Sequence, residues 1–247
     1  MDRLCQCAED AGLNAWPALT EVFYDGWLIR LTGGDSRRTN SVSVIAPPRE
    51  KLDAKLAFCE RIYQAHQLPL VFRVRSLDTP ALERHLEQEG FVAHDETLTL
   101  FLDLGSAKTD NGFEGFGIEA KPSPQWLAAH QNVSGYSQAQ RQLRERQLEL
   151  IALPRAFVAI KDAGQIVSLA YGVVHERIMS VQSVATDPAR RQQGFSRAAL
   201  LGLFAWGVAL GARGACLQVL ANNAPALGLY RSLGFDRELY RYHYRQR

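Results

Sequence analysis

Val184-Ala185-Thr186-Asp187-Pro188-Ala189-Arg190-Arg191-Gln192-Gln193-Gly194-Phe195-Ser196-Arg197-Ala198-Ala199-Leu200 is the stretch on which the reading of this chain turns. A strand enters a polar loop, and the loop leads directly into an apolar helix read over Arg197 to Leu210 and stopped at Gly211. The first amides of a helix have no intrahelical partner and sit at the positive end of its dipole. Such a turn takes a phosphate, especially where a glycine lets the anion reach the backbone. Gly194 gives that access, Ser196 is small enough to avoid a clash, and Arg190, Arg191 and Arg197 add positive charge. There is no Gly-Lys-Ser/Thr ending and no Gly-x-Gly-x-x-Gly, which argues against a nucleoside triphosphate loop and a dinucleotide fold. Alone, Arg-x-x-Gly-x-Ser also describes a plain solvent-exposed turn.

One strand further on comes Leu220-Ala221-Asn222-Asn223-Ala224-Pro225-Ala226-Leu227-Gly228-Leu229-Tyr230-Arg231-Ser232-Leu233-Gly234-Phe235. Here the chain resembles the GNAT superfamily of N-acetyltransferases. The family's cofactor signature, Arg/Gln-x-x-Gly-x-Gly/Ala, matches Arg191 to Ser196 with one departure, Ser196 standing where Gly or Ala is usual. That swap leaves the backbone amide in place. The later signature, Asn-x-x-Ala-x-x-Leu-Tyr followed by Leu-Gly-Phe, matches Asn223, Ala226, Leu229, Tyr230, Leu233, Gly234 and Phe235 without a gap. Two ordered signatures are far more specific than either alone, and the resemblance covers residues 116–247.

The resemblance implies an acetyl-CoA-dependent N-acetyltransferase that moves an acetyl group to a primary amine of a small molecule or peptide by direct attack. It implies two parallel strands, around Ile178–Thr186 and Ala215–Leu220, that splay at one end. The pantetheine arm would lie in the gap against Val184, Ala185 and Thr186, and the pyrophosphate on the amides of Gln192, Gln193, Gly194, Phe195, Ser196 and Arg197 beside Arg191. Asn223 would hydrogen-bond the arm, or serve as cap of the helix that follows. Tyr230 would protonate the departing thiolate as general acid, or be a core aromatic. For the base, Glu176 is the candidate carried forward. His175, Ser183 and Gln182 are the other choices, against a solvated hairpin tip. A non-catalytic acyl-CoA sensor or scaffold is the competing reading, and retention of Tyr230 favours the enzyme.

Outward from that region the pattern is α/β (α+β in some schemes), a tandem GNAT-like fold in which each half is a mixed twisted sheet flanked by helices. Residues 1–104 read as a degenerate copy without the cofactor loop, 105–115 as a turn-rich linker, and 116–247 as the catalytic domain. Helices are read over Pro124–Gln131 and Ser137–Ile151, the second with Arg141, Arg144, Glu145, Arg146 and Glu149 set against its apolar side. In the first half, Phe23–Leu31 and Ser41–Ile45 read as strands, and Lys51–Gln67 as a helix with Leu52, Leu56, Cys59 and Tyr63 on one face. Leu70–Val74, Pro80–Glu89 and Phe91–Leu102 follow as strand, helix and strand. A helix–Gly–Phe–strand junction occurs twice, at Gly90-Phe91 and Gly234-Phe235. Where a phosphate turn would stand, Ile45-Ala46-Pro47-Pro48-Arg49-Glu50 has no glycine, and its prolines lack donors. Arg30, Arg38 and Asn40 form a polar cluster that could hold a carboxylate or an amide of the acceptor, or belong to an ordinary hairpin with a glycine turn.

Bulk composition sets the outer bounds. The 247 residues are 47% hydrophobic and 22% charged with a net charge of +2, a globular composition with no electrostatic call for nucleic acid or an anionic membrane. The alternating aromatic and basic Tyr240–Arg245 is weighed as a nucleic-acid strip and read instead as a half-exposed strand. No apolar run reaches the roughly 20 residues that span a bilayer, and the first residues do not resemble a signal peptide. The four cysteines, Cys5, Cys7, Cys59 and Cys216, have no metal-site spacing and read as free thiols in a cytoplasmic protein. The expected partners are acetyl-CoA and an amine, with no metal; monomer and homodimer are both left open.

Overall fold

Strands and amphipathic helices alternate as the patterning predicts, with two elements added and one strand divided. The computed structural model describes residues 2–105, 109 and 112–247. Of the segment 105–115 read as a linker, residues 106–108, 110 and 111 lie outside the described residues. The chain runs α1 (Arg3–Ala15), β1 (Thr20–Tyr24), β2 (Trp27–Leu31), β3 (Val42–Val44), α2 (Leu52–Ala65), β4 (Val71–Arg75), α3 (Pro80–Gln88) and β5 (Val92–Asp103). It continues with β6 (Phe116–Glu119), α4 (Pro124–Ser134), α5 (Gln138–Glu149), β7 (Arg155–Asp162), β8 (Gln165–His175) and β9 (Ile178–Thr186). It ends with α6 (Phe195–Ala209), β10 (Gly214–Leu220), α7 (Ala224–Ser232) and β11 (Arg237–Gln246).

The stretch Phe23–Leu31, expected as one strand, is a hairpin. Asp25 (φ 43°) and Gly26 (φ 77°) are both left-handed, the geometry of a two-residue turn matched to strand twist. Gly26 is required there, because a Cβ would stand 2.4 Å from the Ala46 carbonyl oxygen. Helix α1 is the first addition. Asp2 caps it, and Ala8, Ala11 and Ala15 form a small-residue face that packs on β8 and β9.

Among the described residues eleven strands form one sheet, in the order β1-β2-β3-β4-β11-β5-β10-β9-β8-β7-β6. Setting aside β6, the order reads alike from either end. Each half contributes a parallel pair, β3 with β4 and β9 with β10. The closing strand of each half pairs with the other half: β5 lies antiparallel to β10, and β11 antiparallel to β4. The two exchanged strands meet in the middle. Both helix–Gly–Phe junctions are built the same way, with Gly90 at φ 82° and Gly234 at φ 97°. In each, the Phe amide bonds back five residues, Phe91 to Leu86 and Phe235 to Tyr230, and the ring is buried.

Helices α6 and α7 cover one face of the second half, where Phe195, Leu200, Leu203, Phe204 and Phe235 join Val181, Leu217 and Val219 in the largest core. The opposite face carries α1, α4 and α5, with Trp126, Leu148, Phe157 and Tyr171 between them. Helix α1 is fastened to the first half's strands by a buried carboxylate. Burial pushes the Glu9 carboxyl up, but Arg73, bonded at 2.5 and 3.0 Å, and neighbouring Arg75 bring it down to about 2.

Candidate active site

The parallel pair β9–β10 is joined over a short length, from Ile178–Gly214 to Val181–Leu217. Beyond that point β10 stays on β5 as far as Leu220, while β9 keeps to β8 and ends at Thr186. The two strands part, as expected. A bulge in β9 marks the parting: the register with β8 jumps between Leu169–Ala185 and Tyr171–Gln182, and Ser183 takes φ 51°. A bulge leaves a strand residue outside the ladder and re-aims its neighbours.

The chain then makes a 3-10 turn at Pro188–Arg190, capped by Asp187, and enters α6. Gly194 is the cap residue of α6, at φ 83° with no side chain over the helix end. A Cβ at Gly194 would meet nothing within 4 Å, so the space above these amides is open. Arg190 is spent on an ion pair with Asp162, and Arg197 is tied to Ser232 Oγ at 3.2 Å. Arg191 is exposed. Ser196 is bonded to Thr186 (2.5 Å), which in turn meets Ser168 (2.8 Å). This hydroxyl chain ties the helix start to β9 and β8.

Val184, Ala185, Thr186, Arg191, Gln192, Gly194, Phe195, Ser196, Arg197, Asn223 and Tyr230 line one cleft of about 730 Å3. Gln193 is exposed beside it and is not among the lining residues. Phe195 turns its ring into the core, edge-on to Phe113 at 5.6 Å, so what it offers the cleft is backbone. Asn223 caps α7, accepting from the Ala226 amide at 3.2 Å, and still reaches the cleft. Tyr230 is 7% exposed, and burial pushes its phenol up to about 12, which keeps the proton on. An open helix start with cationic neighbours suits an anion, the unpaired strand edge suits an amide-bearing chain, and the phenol can give up a proton.

Glu176, the candidate base, is not among the residues that line this cleft. Glu176 is exposed in the tight turn between β8 and β9, at φ 51°. Strand β9 starts beside it and reaches Val184 some 20 Å further on, at the usual rise of about 3.3 Å per residue. His175 shares that remote end and is held by Asn14 at 3.1 Å. Gln182 is nearer but engaged on both sides, accepting from Arg38 at 3.0 Å and donating to Ser180 at 2.7 Å. Ser183 lies next to Val184 with a buried hydroxyl that has no partner among the described residues. No carboxylate or imidazole is among the residues lining the cleft.

A family model described as the probable histone acetyltransferase Rv0428c C-terminal family matches residues 6–245. The chain belongs to this family. It is a GNAT N-acetyltransferase. An uncharacterized N-acetyltransferase of Bacillus subtilis (strain 168), YobR, is 24% identical over 237 residues, covering 94% of each chain. A GCN5-related N-acetyltransferase from Kribbella flavida superposes with a TM-score of 0.70 at 16% identity, over 99% of this chain and 94% of that one. A tandem GNAT protein from the clavulanic acid biosynthesis pathway superposes at 0.62 with 11% identity, over 84% and 74% of the two chains.

Among the other cavities of this GNAT chain is one that the sequence reading missed. It measures about 320 Å3 and lies among Trp16, the 33–39 loop and helix α5. Arg144, read as part of a solvated face, is 4% exposed and donates to Tyr171 Oη at 2.6 Å. Of the polar cluster, Arg30 is wholly structural, paired with Glu21 at 3.2 Å and bonded to the Trp16 carbonyl. Asn40 is likewise spent on the backbone of Thr32, Gly33 and Ser36. Burial and the Arg144 charge push the nearby His130 imidazole down to about 3, so it stays neutral. Among the described residues no helix is long and apolar enough to cross a membrane, and no three His, Cys, Asp or Glu side chains gather as a metal site.

Proposed function

We propose that the cleft binds acetyl-CoA and that the enzyme passes its acetyl group to a primary amine by direct attack. The supporting observation is the coincidence, in one cleft, of parted parallel strands, an open helix start at Gly194 and a protonated Tyr230. Acetyl-CoA supplies a thioester acyl group. The amides from Gln192 to Arg197, with Arg191 beside them, hold its pyrophosphate. The edge of β9 at Val184 to Thr186 bonds the amides of its arm, and Asn223 adds a side-chain bond while capping α7. The Val184 amide orients the carbonyl oxygen, and Tyr230 donates its Oη proton to the leaving sulfur. The Ser183 hydroxyl, unpartnered beside Val184, orders a water that takes the proton from the amine and passes it to bulk solvent. In this reading residues 116–247 carry the donor site, and residues 1–104 have none and wall the acceptor side.

Thiol release from acetyl-CoA across a panel of primary amines tests the proposal. At least one amine should raise release well above the amine-free rate. Tight acetyl-CoA binding with no amine-dependent release would make the protein an acyl-CoA sensor instead.

A further inference from the structure

Two guanidinium groups lie against Trp16 without an acid. Arg144 stacks on the Trp16 ring at 3.5 Å from its centroid, and Arg38 lies over the same ring at 4.7 Å. Arg144 uses one nitrogen on Tyr171; its Nε and Nη1 are buried with no partner. Arg38 gives Nη1 to Gln182, and its Nη2 is buried with no partner. Among the described residues no carboxylate comes within 4 Å of either group, although Arg30, Lys55, Arg73 and Arg75 each have one. A buried charge left without a counter-ion is expensive, and an anion bound from solution would offset that cost.

From this we infer that the cavity between Trp16, the 33–39 loop and α5 is the acceptor site, and that it selects amines that also carry a carboxylate. The inference rests on the N-acetyltransferase reading above and names the substrate class of that enzyme. Arg144 lines the cavity, and its free N–H groups supply charge-assisted bonds to an anion. Thr39 adds a buried hydroxyl that has no partner among the described residues. The cavity's acidic lining residue, Asp35, is exposed at the rim and accepts from Gln140 at 3.0 Å, apart from both arginines.

The cavity also lies beside the donor cleft. Gln182, two residues before Val184 on β9, accepts from Arg38, which is not among the cavity's lining residues but is the chain neighbour of Thr39, which is. On the other wall, Val133 at the end of α4 lines the donor cleft, and Tyr136 after it lines the cavity. An acceptor anchored by its carboxylate on Arg144 thus has its amine directed towards the bulge. A lysine-rich peptide would bring cations to a cationic pocket, where like charges repel.

The test compares amino acids, their carboxamides and the corresponding decarboxylated amines as acceptors, with a lysine-rich histone-tail peptide alongside. Direct binding of N-acetyl amino acids and of their amides is measured by thermal shift without acetyl-CoA. Carboxylate-bearing acceptors should lead their carboxamides in kcat/KM by about 100-fold. Arg144→Gln should remove that lead, mainly through KM, with the Kd for acetyl-CoA unchanged. Arg38→Gln, at a half-buried position, should reduce the lead by about 10-fold and covers the case in which Arg144→Gln fails to fold. Equal use of carboxamides, preference for the peptide, or discrimination that survives in both variants would overturn the inference. Failure of acetyl-CoA to bind, with carboxylates still raising the melting temperature, would sink the proposed donor and leave this anion site standing. Acetyl-CoA turnover with no carboxylate preference would do the reverse.

Discussion

After β3 and after β9 the chain makes the same move, from a strand with a parallel neighbour into the start of a helix, and the two turns are finished differently. Behind β3 the amides of Ile45 and Ala46 donate to the Gly26 carbonyl, and those of Arg49 and Glu50 donate to the Asp25 carboxylate at 3.0 Å. Buried Lys55 closes on the same carboxylate at 2.9 Å. The gap between β3 and β4 is bridged as well, by Arg75 Nη2 donating to the Val44 carbonyl at 2.6 Å. Behind β9 the helix start has Gly194 and open space, and β10 has moved away. The first turn carries its own anion; the second leaves the place for one. Competence for a phosphate therefore depends on whether the chain has already filled the cradle, more than on the presence of a strand-to-helix turn.

Putting an anion into the open turn is the strongest way to break this contrast. Gly194→Asp sets a carboxylate where Asp25 stands in the other half, in a residue type that tolerates a left-handed backbone. It should weaken acetyl-CoA binding several-hundred-fold, about 3–4 kcal/mol, with little change in melting temperature, by calorimetry and scanning fluorimetry. Next in size is the phenol, which has no counterpart in the first half's filled turn. Tyr230→Phe should lower kcat about 100-fold and leave the Kd for acetyl-CoA within twofold, as steady-state thiol release and titration would record.

Removing the built-in anion sharpens the comparison from the other side. The Lys55 ammonium and the Glu50 and Arg49 amides hold the Asp25 carboxyl at about 2, below its ordinary 3.8. The stability this gives is present above pH 3.8 and lost as pH falls through 2. Asp25→Asn should melt several degrees lower at neutral pH and lose that part of the acid dependence in melts between pH 5 and 2. It should not create a second acetyl-CoA site, because Pro47 and Pro48 offer no amides. The smallest effect belongs to Ser196→Ala. Losing its bond to Thr186 should cost about 1 kcal/mol or less and change acetyl-CoA affinity no more than a few-fold.

The open turn was legible because everything it needs is contiguous. Gly194, its flanking arginines and the Asn223–Phe235 run sit within short segments, where local pattern and helix-end chemistry speak directly. The filled turn was half legible. Its prolines announced that a phosphate would not fit, but Asp25 comes from another hairpin, whose glycine turn the sequence offers only as an alternative to one continuous strand. Helix α1 was missed although Asp2 and the spacing of Ala8, Ala11 and Ala15 mark it, because small residues give little hydrophobic contrast. Exchange of β5 and β11 could not be read, since alternation tells which face a strand buries and not which neighbour it takes. Arg144 was hidden for the opposite reason. Its spacing on α5 puts it among charges, and only Trp16 and Tyr171, far away in sequence, make the position interior.

Calorimetric titration of the purified protein with acetyl-CoA, reading stoichiometry as well as affinity, tests the contrast between the two turns most directly. A single site per chain with micromolar affinity, lost in Gly194→Asp and kept in Asp25→Asn, is the predicted result. No heat of binding, or two sites per chain, would contradict the account.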